Sequence, residues 1–275
     1  MSKPHSTRWA LASLSLSMLL SSLGTSIANV GLPTLAQAFN ASFQQVQWVV
    51  LAYLLAITTL IVSVGRLGDL FGRRRLLLAG IGLFTLASGL CGTAPNLGLL
   101  ITARAAQGLG AATMMALTMA FVAETVPKEK TGSAMGLLGT MSAVGTALGP
   151  SLGGVLIAML GWRAIFHITV PLGLLAWGLA YRFLPRDPPK TASSTAGFDP
   201  VGTLLLAVTL GAYALAMTTR IGVGNHGGFA LMNLALLAAA AAGAGLFLLA
   251  QARVASPLVR LAEFRNPVLR ISLAT

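Results

Sequence analysis

The residues with the clearest chemical potential are Arg104 and Gln107, which stand inside a long apolar run, Leu97–Val122. A run of this length matches the ~20 residues that a helix needs to cross a bilayer. An arginine placed there lies about 10 Å from the helix start and must face the protein interior or a wet cavity. Gln107 and Gly108 share its face, so we predict an intramembrane polar site made of these three residues. The alternative is an interfacial arginine whose side chain snorkels to the surface.

Proton transfer at such a site needs a group that titrates, and an arginine side chain does not release its proton in proteins. All six acidic residues fall in loops or near span ends: Asp69, Glu124, Glu129, Asp187, Asp199 and Glu263. We therefore predict that Arg104 only biases a neighbouring acid or bound water. The titrating group would then lie beyond this stretch of chain, or no proton would be carried. Glu124 either reaches the basic residues after Gly72 or remains a solvated carboxylate.

A second candidate is the segment Gly65–Arg75, GRLGDLFGRRR, which contains four arginines and one aspartate. Apolar runs flank it on both sides, at Val46–Val64 and Leu76–Ala94. Three consecutive arginines cannot remain in hydrocarbon, so the pattern predicts a short cytoplasmic loop between two spans. Its glycines would let the backbone turn tightly; they are Gly65, Gly68 and Gly72. We predict that this segment gates a conformational change and does not bind substrate.

A third candidate lies in the apolar run Ser133–Leu160, where glycine recurs every four residues at Gly145, Gly149 and Gly153, with Pro150 and Gly154 added. A stripe of glycines lets a second helix approach closely, and a proline bends the helix where packing can compensate. The pattern predicts close backbone packing along these three glycines.

The composition is that of an integral membrane protein. Charged residues make up 9% of the chain and hydrophobic residues 56%, whereas soluble domains have roughly 25% charged residues. The net charge of +12 does not indicate nucleic-acid binding, because the basic residues stand between apolar runs. One cysteine and three dispersed histidines predict neither a disulfide framework nor a metal site. The sequence has no phosphate-binding loop and no hydrolase motif, so we predict no cofactor and no enzyme; a polytopic membrane enzyme is the alternative weighed.

Eight complete spans are predicted, with a ninth beginning near Val268: Trp9–Ala28, Val46–Val64, Leu76–Ala94, Leu97–Val122, Ser133–Leu160, Ala164–Leu184, Val201–Met217 and Phe229–Leu249. With the N-terminus inside, fifteen of the 18 lysines and arginines fall in cytoplasmic segments. The positive-inside rule therefore predicts a multi-pass protein of the plasma (inner) membrane with a cytoplasmic N-terminus. The serines of the first span share one face, and either pack against another helix or line a cavity; they are Ser13, Ser17 and Ser21.

These motifs resemble those of the major facilitator superfamily of secondary transporters. The matching positions of the gating segment are Gly65, Leu67, Asp69, Gly72, Arg73 and Arg74, whereas Leu70 departs from the usual basic residue. The run from Arg104 to Gly110, Arg-x-x-Gln-Gly-x-Gly, resembles the fourth-helix motif, whose arginine is associated with proton coupling. The stretch Gly145–Leu156 resembles the signature of the antiporter branches, which is found mainly in exporters.

The stretch Ile27–Pro33 is similar to a signature of the fourteen-helix drug:proton antiporters. In that signature an aspartate stands where this chain has Gly24, so the expected proton carrier is missing here. The resemblance implies an all-α polytopic membrane protein with the major facilitator fold. It implies an N-terminal six-helix half built as a 3+3 inverted repeat, two linker helices and the start of a ninth helix.

An internal repeat supports that architecture. Gly65, Leu67, Gly72 and Arg74 recur as Gly154, Leu156, Gly161 and Arg163, with reversed sidedness. Equivalent positions on opposite sides are what an inverted-topology repeat predicts. The predicted domains are the six-helix half at 1–184, a cytoplasmic linker at 185–200, two additional helices at 201–250 and a cytoplasmic segment with the next helix start at 251–275. We expect the chain to be an N-terminal fragment.

The predicted function is secondary active transport, as proton-coupled efflux of small amphipathic or cationic drugs by alternating access. The expected partners are a small-molecule substrate, protons and the lipid bilayer, without nucleic acid and with a monomeric full-length protein. A metabolite exporter, an uptake carrier or uniporter of the same fold, and an inactive truncated fragment are the alternatives.

Overall fold

The computed structural model describes residues 4–187, 200–219 and 227–253. Within those ranges the regular structure is entirely α-helical. The helices are α1 (Pro4–Ala38), α2 (Phe43–Phe71), α3 (Arg73–Thr93), α4 (Leu97–Thr125), α5 (Lys128–Leu160), α6 (Ala164–His167), α7 (Thr169–Phe183), α8 (Pro200–Thr219) and α9 (Gly227–Arg253). The chain forms two compact units, Met1–Ser194 and Thr195–Thr275.

Seven helical segments in the described part are long and apolar enough to cross a membrane. Six of them belong to the first unit, where α6 and α7 together make the sixth predicted span. The seventh predicted span corresponds to α8, whose apolar stretch Val201–Met217 is shorter but still within the range of about 17 to 25 residues for a spanning helix. The predicted ninth span, near Val268, lies outside the described residues.

The first helix is longer than the sequence predicts, because it continues past Ala28 through Pro33 to Ala38. A proline removes one backbone hydrogen bond from a helix, and in a spanning helix neighbouring groups can compensate for that loss. The polar and small residues after Ala28 therefore extend α1 instead of ending it.

The segment Gly65–Arg75 is not the loop that the sequence predicts. Helix α2 continues to Phe71 and α3 begins at Arg73, so a single residue, Gly72, joins them. Its φ of +95° favours glycine because a Cβ atom is disfavoured there. The Gly72 amide donates to the Gly68 carbonyl at 2.9 Å, and the Gly72 carbonyl accepts from the Leu76 amide at 3.0 Å. The chain turns at Gly72, as predicted. The turn prediction is wrong for Gly65 and Gly68, because both lie within α2.

The first unit has the pairing expected of an inverted repeat. Helix α1 packs along α5 as α4 packs along α2, and α3 lies on α4 as α7 lies on α1. If the first three spans are exchanged in order with the next three, the α1–α5 pair becomes the α4–α2 pair. The α3–α4 pair becomes the α7–α1 pair in the same way. The repeat also appears in the backbone, because in the described part the glycines with positive φ are Gly72 at +95° and Gly161 at +81°. These are equivalent positions of the two motif copies.

The second unit contains α8 and α9, which pack on each other. A Cβ atom built at Gly243 would lie 3.4 Å from the Cβ of Thr209. A small residue therefore permits close approach of these two helices.

Candidate functional site

Arg104 is fully buried in the first unit, with no exposed side-chain surface. Its guanidinium carbon lies 4.1 Å from the centre of the Tyr53 ring and 6.0 Å from that of Phe166. Aromatic faces attract a cation, and this attraction strengthens where water is excluded. The side chain is therefore held inside the helix bundle and does not snorkel to the surface.

Hydrogen bonds connect Arg104 to α2 directly and to α3 through Gln107. Its Nε donates to the carbonyl of Val49 on α2 at 2.9 Å, and its Nη1 donates to Oε1 of Gln107 at 2.5 Å. Gln107 Nε2 in turn donates to Oγ of Ser88 on α3 at 2.7 Å. Ser88 Oγ donates to the carbonyl of Phe84 at 2.7 Å. The predicted pair of Arg104 and Gln107 is thus joined directly, and the chain of bonds fixes both amide and guanidinium orientations.

Tyr53 extends the network to α1, because its hydroxyl donates to the carbonyl of Ser21 at 2.8 Å. We call Ser21, Tyr53, Ser88, Arg104 and Gln107 the Arg104 cluster. All five residues are buried, and together they join α1, α2, α3 and α4. Buried polar groups whose bonds are made fix one arrangement of the helices that carry them.

One nitrogen of the cluster remains available. Arg104 Nη2 is buried and has no hydrogen-bond partner among the described residues. Leaving a charged donor unpaired in a buried site costs free energy, so this nitrogen is a strong donor for a water or an acidic group. The cluster can therefore orient a proton-carrying group, although arginine cannot itself carry the proton.

Gly24 lies beside the cluster. A Cβ atom built there would be 3.2 Å from the Tyr53 hydroxyl and 3.4 Å from the Phe84 ring. An acidic side chain at this position would contact the tyrosine that stacks on Arg104. The position that the family resemblance singles out is therefore adjacent to the buried arginine.

Gly108 contributes packing to the site. A Cβ atom built there would be 2.8 Å from the Cβ of Ala56 and would overlap the carbonyl of Tyr53. Without a side chain, α4 approaches the backbone of α2 closely and brings Tyr53 onto Arg104. Gly110 does the same toward α3, since its Cβ would lie 2.7 Å from the Gly80 carbonyl oxygen.

The predicted glycine stripe of α5 packs directly against α1. A Cβ atom built at Gly145 would lie 2.5 Å from the Leu19 carbonyl oxygen. One built at Gly149 would lie 2.6 Å from the Cβ of Ser26, and one built at Gly153 would lie 3.0 Å from the Cγ1 of Ile27. These distances confirm the predicted close packing. Pro150 is exposed, and no described atom lies within 4 Å of a Cβ built at Gly154.

Serine side chains reinforce the contact between α1 and α5. Ser22 and Ser142 hydroxyls lie 2.6 Å apart, and Ser26 donates to the Gly145 carbonyl at 3.2 Å. By contrast, the hydroxyls of the predicted serine face donate to carbonyls of their own helix; these are Ser13, Ser17 and Ser21. All three are buried, which favours the packing interpretation of that face.

The segment Gly65–Arg75 forms its own group of contacts. Asp69 and Arg73 make an ion pair across the helix junction at 2.9 Å. Arg74 Nη2 donates to the carbonyl of Tyr181, and its guanidinium lies 5.3 Å from the centre of that ring. Leu67 is half-buried. The side chain of Glu124 lies outside the described residues, so its predicted contact with this segment stays a prediction.

Sequence reasoning missed two residues of the Arg104 cluster. It placed neither Tyr53, whose ring is fully buried, nor Ser88 at this site. A tyrosine within an apolar run signals such a role, because a buried hydroxyl needs a hydrogen-bond partner. The fold also brings Asp187, which the sequence places in a linker, to the start of α3.

Comparisons with known proteins agree with these motifs. The family model described as Major Facilitator Superfamily matches residues 14–274. The chain is 36% identical over 252 residues to multidrug resistance protein Stp of Mycobacterium tuberculosis (strain CDC 1551 / Oshkosh), covering 90% of this chain and 45% of Stp. It is 36% identical over 214 residues to riboflavin transporter RibZ of Clostridioides difficile (strain 630), covering 78% of this chain and 46% of RibZ.

The fold is similar to that of solved transporters. A bacterial homologue of the human lysosomal transporter Spinster, in an inward-facing and occupied conformation, matches with a TM-score of 0.61 at 17% identity. The match covers 94% of this chain and 64% of that structure. The chain spans about half the length of the curated relatives it matches.

Proposed function

The chain belongs to the Major Facilitator Superfamily, and we propose that the whole protein is a secondary active transporter that exports small amphipathic or cationic compounds by alternating access. The resemblance to Stp over 90% of this chain supports a drug as the substrate. The substrate, the direction of transport and the coupling to protons are all part of the proposal.

The observation that carries the proposal is the packing of the α5 glycines on α1. The stripe resembles the antiporter signature, and its glycines hold the two helices at backbone contact distance. Alternating access requires one half of a transporter to rock as a body against the other. A first unit bound by this contact and by the Arg104 cluster is suited to move as such a body.

Proton coupling is proposed to use Arg104 indirectly. Its Nη2 would hold a water or an acid supplied by another part of the protein, and the change of protonation would occur on that group. Gln107 bonds Arg104, Tyr53 stacks on it, and Gly24 lies beside Tyr53, so these residues would orient that group. A uniporter, in which no proton moves, is the alternative within the same fold.

The segment Gly65–Arg75 is proposed to lie on the cytoplasmic side, with the N-terminus inside and the protein in the plasma (inner) membrane as a monomer. The support is the bias of basic residues toward one side of the predicted spans. Its role is proposed to be gating, because the Asp69–Arg73 ion pair holds the α2–α3 junction together, so that this end of the unit would move with the rest of it in a rocking motion.

Cells that produce the full-length protein test the proposal. They are loaded with a fluorescent lipophilic cation, and its loss is followed with and without a proton gradient. Faster loss than in cells with the Gly149→Leu variant at equal membrane abundance is expected. Equal loss from both would contradict export of this class of compound.

A metabolite carrier is the second candidate, and the similarity to riboflavin transporter RibZ supports it. Proteoliposomes that contain the full-length protein distinguish the two. Exchange of labelled riboflavin without any flux of the lipophilic cation would favour the metabolite carrier, and the reverse result would favour drug export.

A further inference from the structure

The N-terminus of α3 begins in an unfavourable electrostatic setting. Its first three residues are Arg73, Arg74 and Arg75, and positive charge is destabilising at the positive end of a helix dipole. The residue at the capping position is Gly72, which has no side chain to bond the free amides. The first amides of a helix have no partner within the helix itself, so this end needs an acceptor from elsewhere.

Asp187, which follows α7 near the C-terminal end of the first unit, supplies that acceptor. Its Oδ1 accepts a hydrogen bond from the Arg74 amide at 2.8 Å, and its Oδ2 accepts one from the Arg75 amide at 3.2 Å. These are the second and third amides of α3, which an N-cap side chain normally bonds. The carboxylate thus caps the helix from 113 residues away in sequence.

The geometry at Gly72 is matched to this carboxylate. A Cβ atom built at Gly72 would lie 2.5 Å from Oδ2 of Asp187 and 2.7 Å from its Cγ. Any side chain there would displace the carboxylate, in addition to opposing the positive φ. Arg74 holds the same region from the side, through its bond to the Tyr181 carbonyl and its contact with the Tyr181 ring.

We propose that Asp187 is a positioning residue of the Gly65–Arg75 segment, which fastens the α2–α3 junction to the stretch of chain that leaves α7. Two contacts, one to backbone amides of α3 and one from Arg74 to the end of α7, hold the junction at a fixed place. The consequence for transport rests on the proposed function: the junction can gate a rocking motion only if its position is fixed relative to the rest of the six-helix unit.

Amide hydrogen exchange of the full-length protein tests the cap directly. In Asp187→Ala the amides of Arg74 and Arg75 are expected to exchange roughly five- to ten-fold faster, the factor given by loss of an ordinary N-cap. Asp187→Asn retains an acceptor of comparable capping strength, so it should fall between Asp187→Ala and the unmodified protein. Glu129→Ala is the matched control, because it removes an exposed carboxylate from the first turn of α5 and leaves α3 untouched.

Transport of the same variants gives the second readout. Asp187→Ala should lower the turnover rate several-fold with unchanged substrate affinity, and Asp187→Asn should restore most of the rate. Exchange equal to that of Glu129→Ala, or faster exchange with unaltered turnover, would overturn the proposal. A protein that transports nothing in its unmodified form would refute the proposed function and the gating role together, whereas the exchange data would still decide whether Asp187 caps α3.

Discussion

The contact between α1 and α5 makes a quantitative prediction for Gly149→Ala. The new Cβ would lie 2.6 Å from the Cβ of Ser26 and 2.9 Å from the amide nitrogen of Ile27. Carbon atoms in ordinary contact are about 3.5–4.0 Å apart, so the helices must separate by about 1 Å at this point. Ser26 cannot avoid the clash by changing rotamer, because its Cβ is fixed by the backbone of α1.

The expected cost follows from two opposing effects. Overpacking of a close-packed site costs about 1–3 kcal/mol, while replacing glycine by alanine within a helix returns up to about 1 kcal/mol. Because the helix gain is common to both sites, Gly149→Ala should have a free energy of unfolding about 1–3 kcal/mol below that of the same substitution at an open site of α5. The larger Gly149→Leu should abolish export, since its side chain would separate the two helices.

Reversible unfolding of the full-length protein in mixed detergent micelles measures this cost. Gly154→Ala is the matched control on the same helix, because no described atom lies within 4 Å of its added Cβ, and it should be neutral or slightly stabilising. Adding Ser26→Gly to Gly149→Ala should recover part of the loss, with the remainder due to the Ile27 amide. The reasoning is refuted if Gly149→Ala is as stable as Gly154→Ala.

Four further substitutions test the Arg104 cluster with its neighbour Gly24 and the Gly65–Arg75 segment. Arg104→Lys should destabilise the protein by about 1–3 kcal/mol, because one ammonium nitrogen cannot replace both the Nε bond to Val49 and the Nη1 bond to Gln107; unchanged unfolding would contradict the network. Tyr53→Phe should cost only about 1 kcal/mol, the worth of one neutral hydrogen bond, measured in the same way. Asp69→Ala should slow transport with near-normal substrate affinity in binding and flux assays, and loss of binding with intact cycling would exclude gating. Gly24→Asp should make transport rate depend differently on pH, and an identical pH profile would show that this position does not reach the proton pathway.

Much of the fold could be predicted from the sequence, because a bilayer imposes simple rules. Helices that cross hydrocarbon must be apolar and about 20 residues long, so the six spans of the first unit are visible as apolar runs. The packing of Gly145, Gly149 and Gly153 was also predictable, since spacing by four places them on one face whatever the partner. The burial of Arg104 beside Gln107 follows from the same periodicity and from the cost of charge in hydrocarbon.

The junction at Gly72 shows where sequence reasoning fails. A run of arginines and glycines indicates a loop, yet both helices continue until a single glycine separates them. The charged residues can remain helical because helix length beyond the hydrocarbon is not constrained by hydropathy. The sequence also could not show that an acceptor would arrive from Asp187, because that contact depends on where α7 ends.

The sequence by itself determined the class of protein, the number of spans in the first unit and the residues that must be buried, since these follow from local periodicity and transfer energy. Only the tertiary structure decided the partners: Tyr53 and Ser88 around Arg104, α1 opposite the glycines of α5, and Asp187 at the start of α3. Each of these contacts joins residues that are far apart in the sequence. Which helices meet is set by the packing of the whole unit. The hydropathy of an apolar run does not identify the helices that it will contact, because all the runs are similarly hydrophobic.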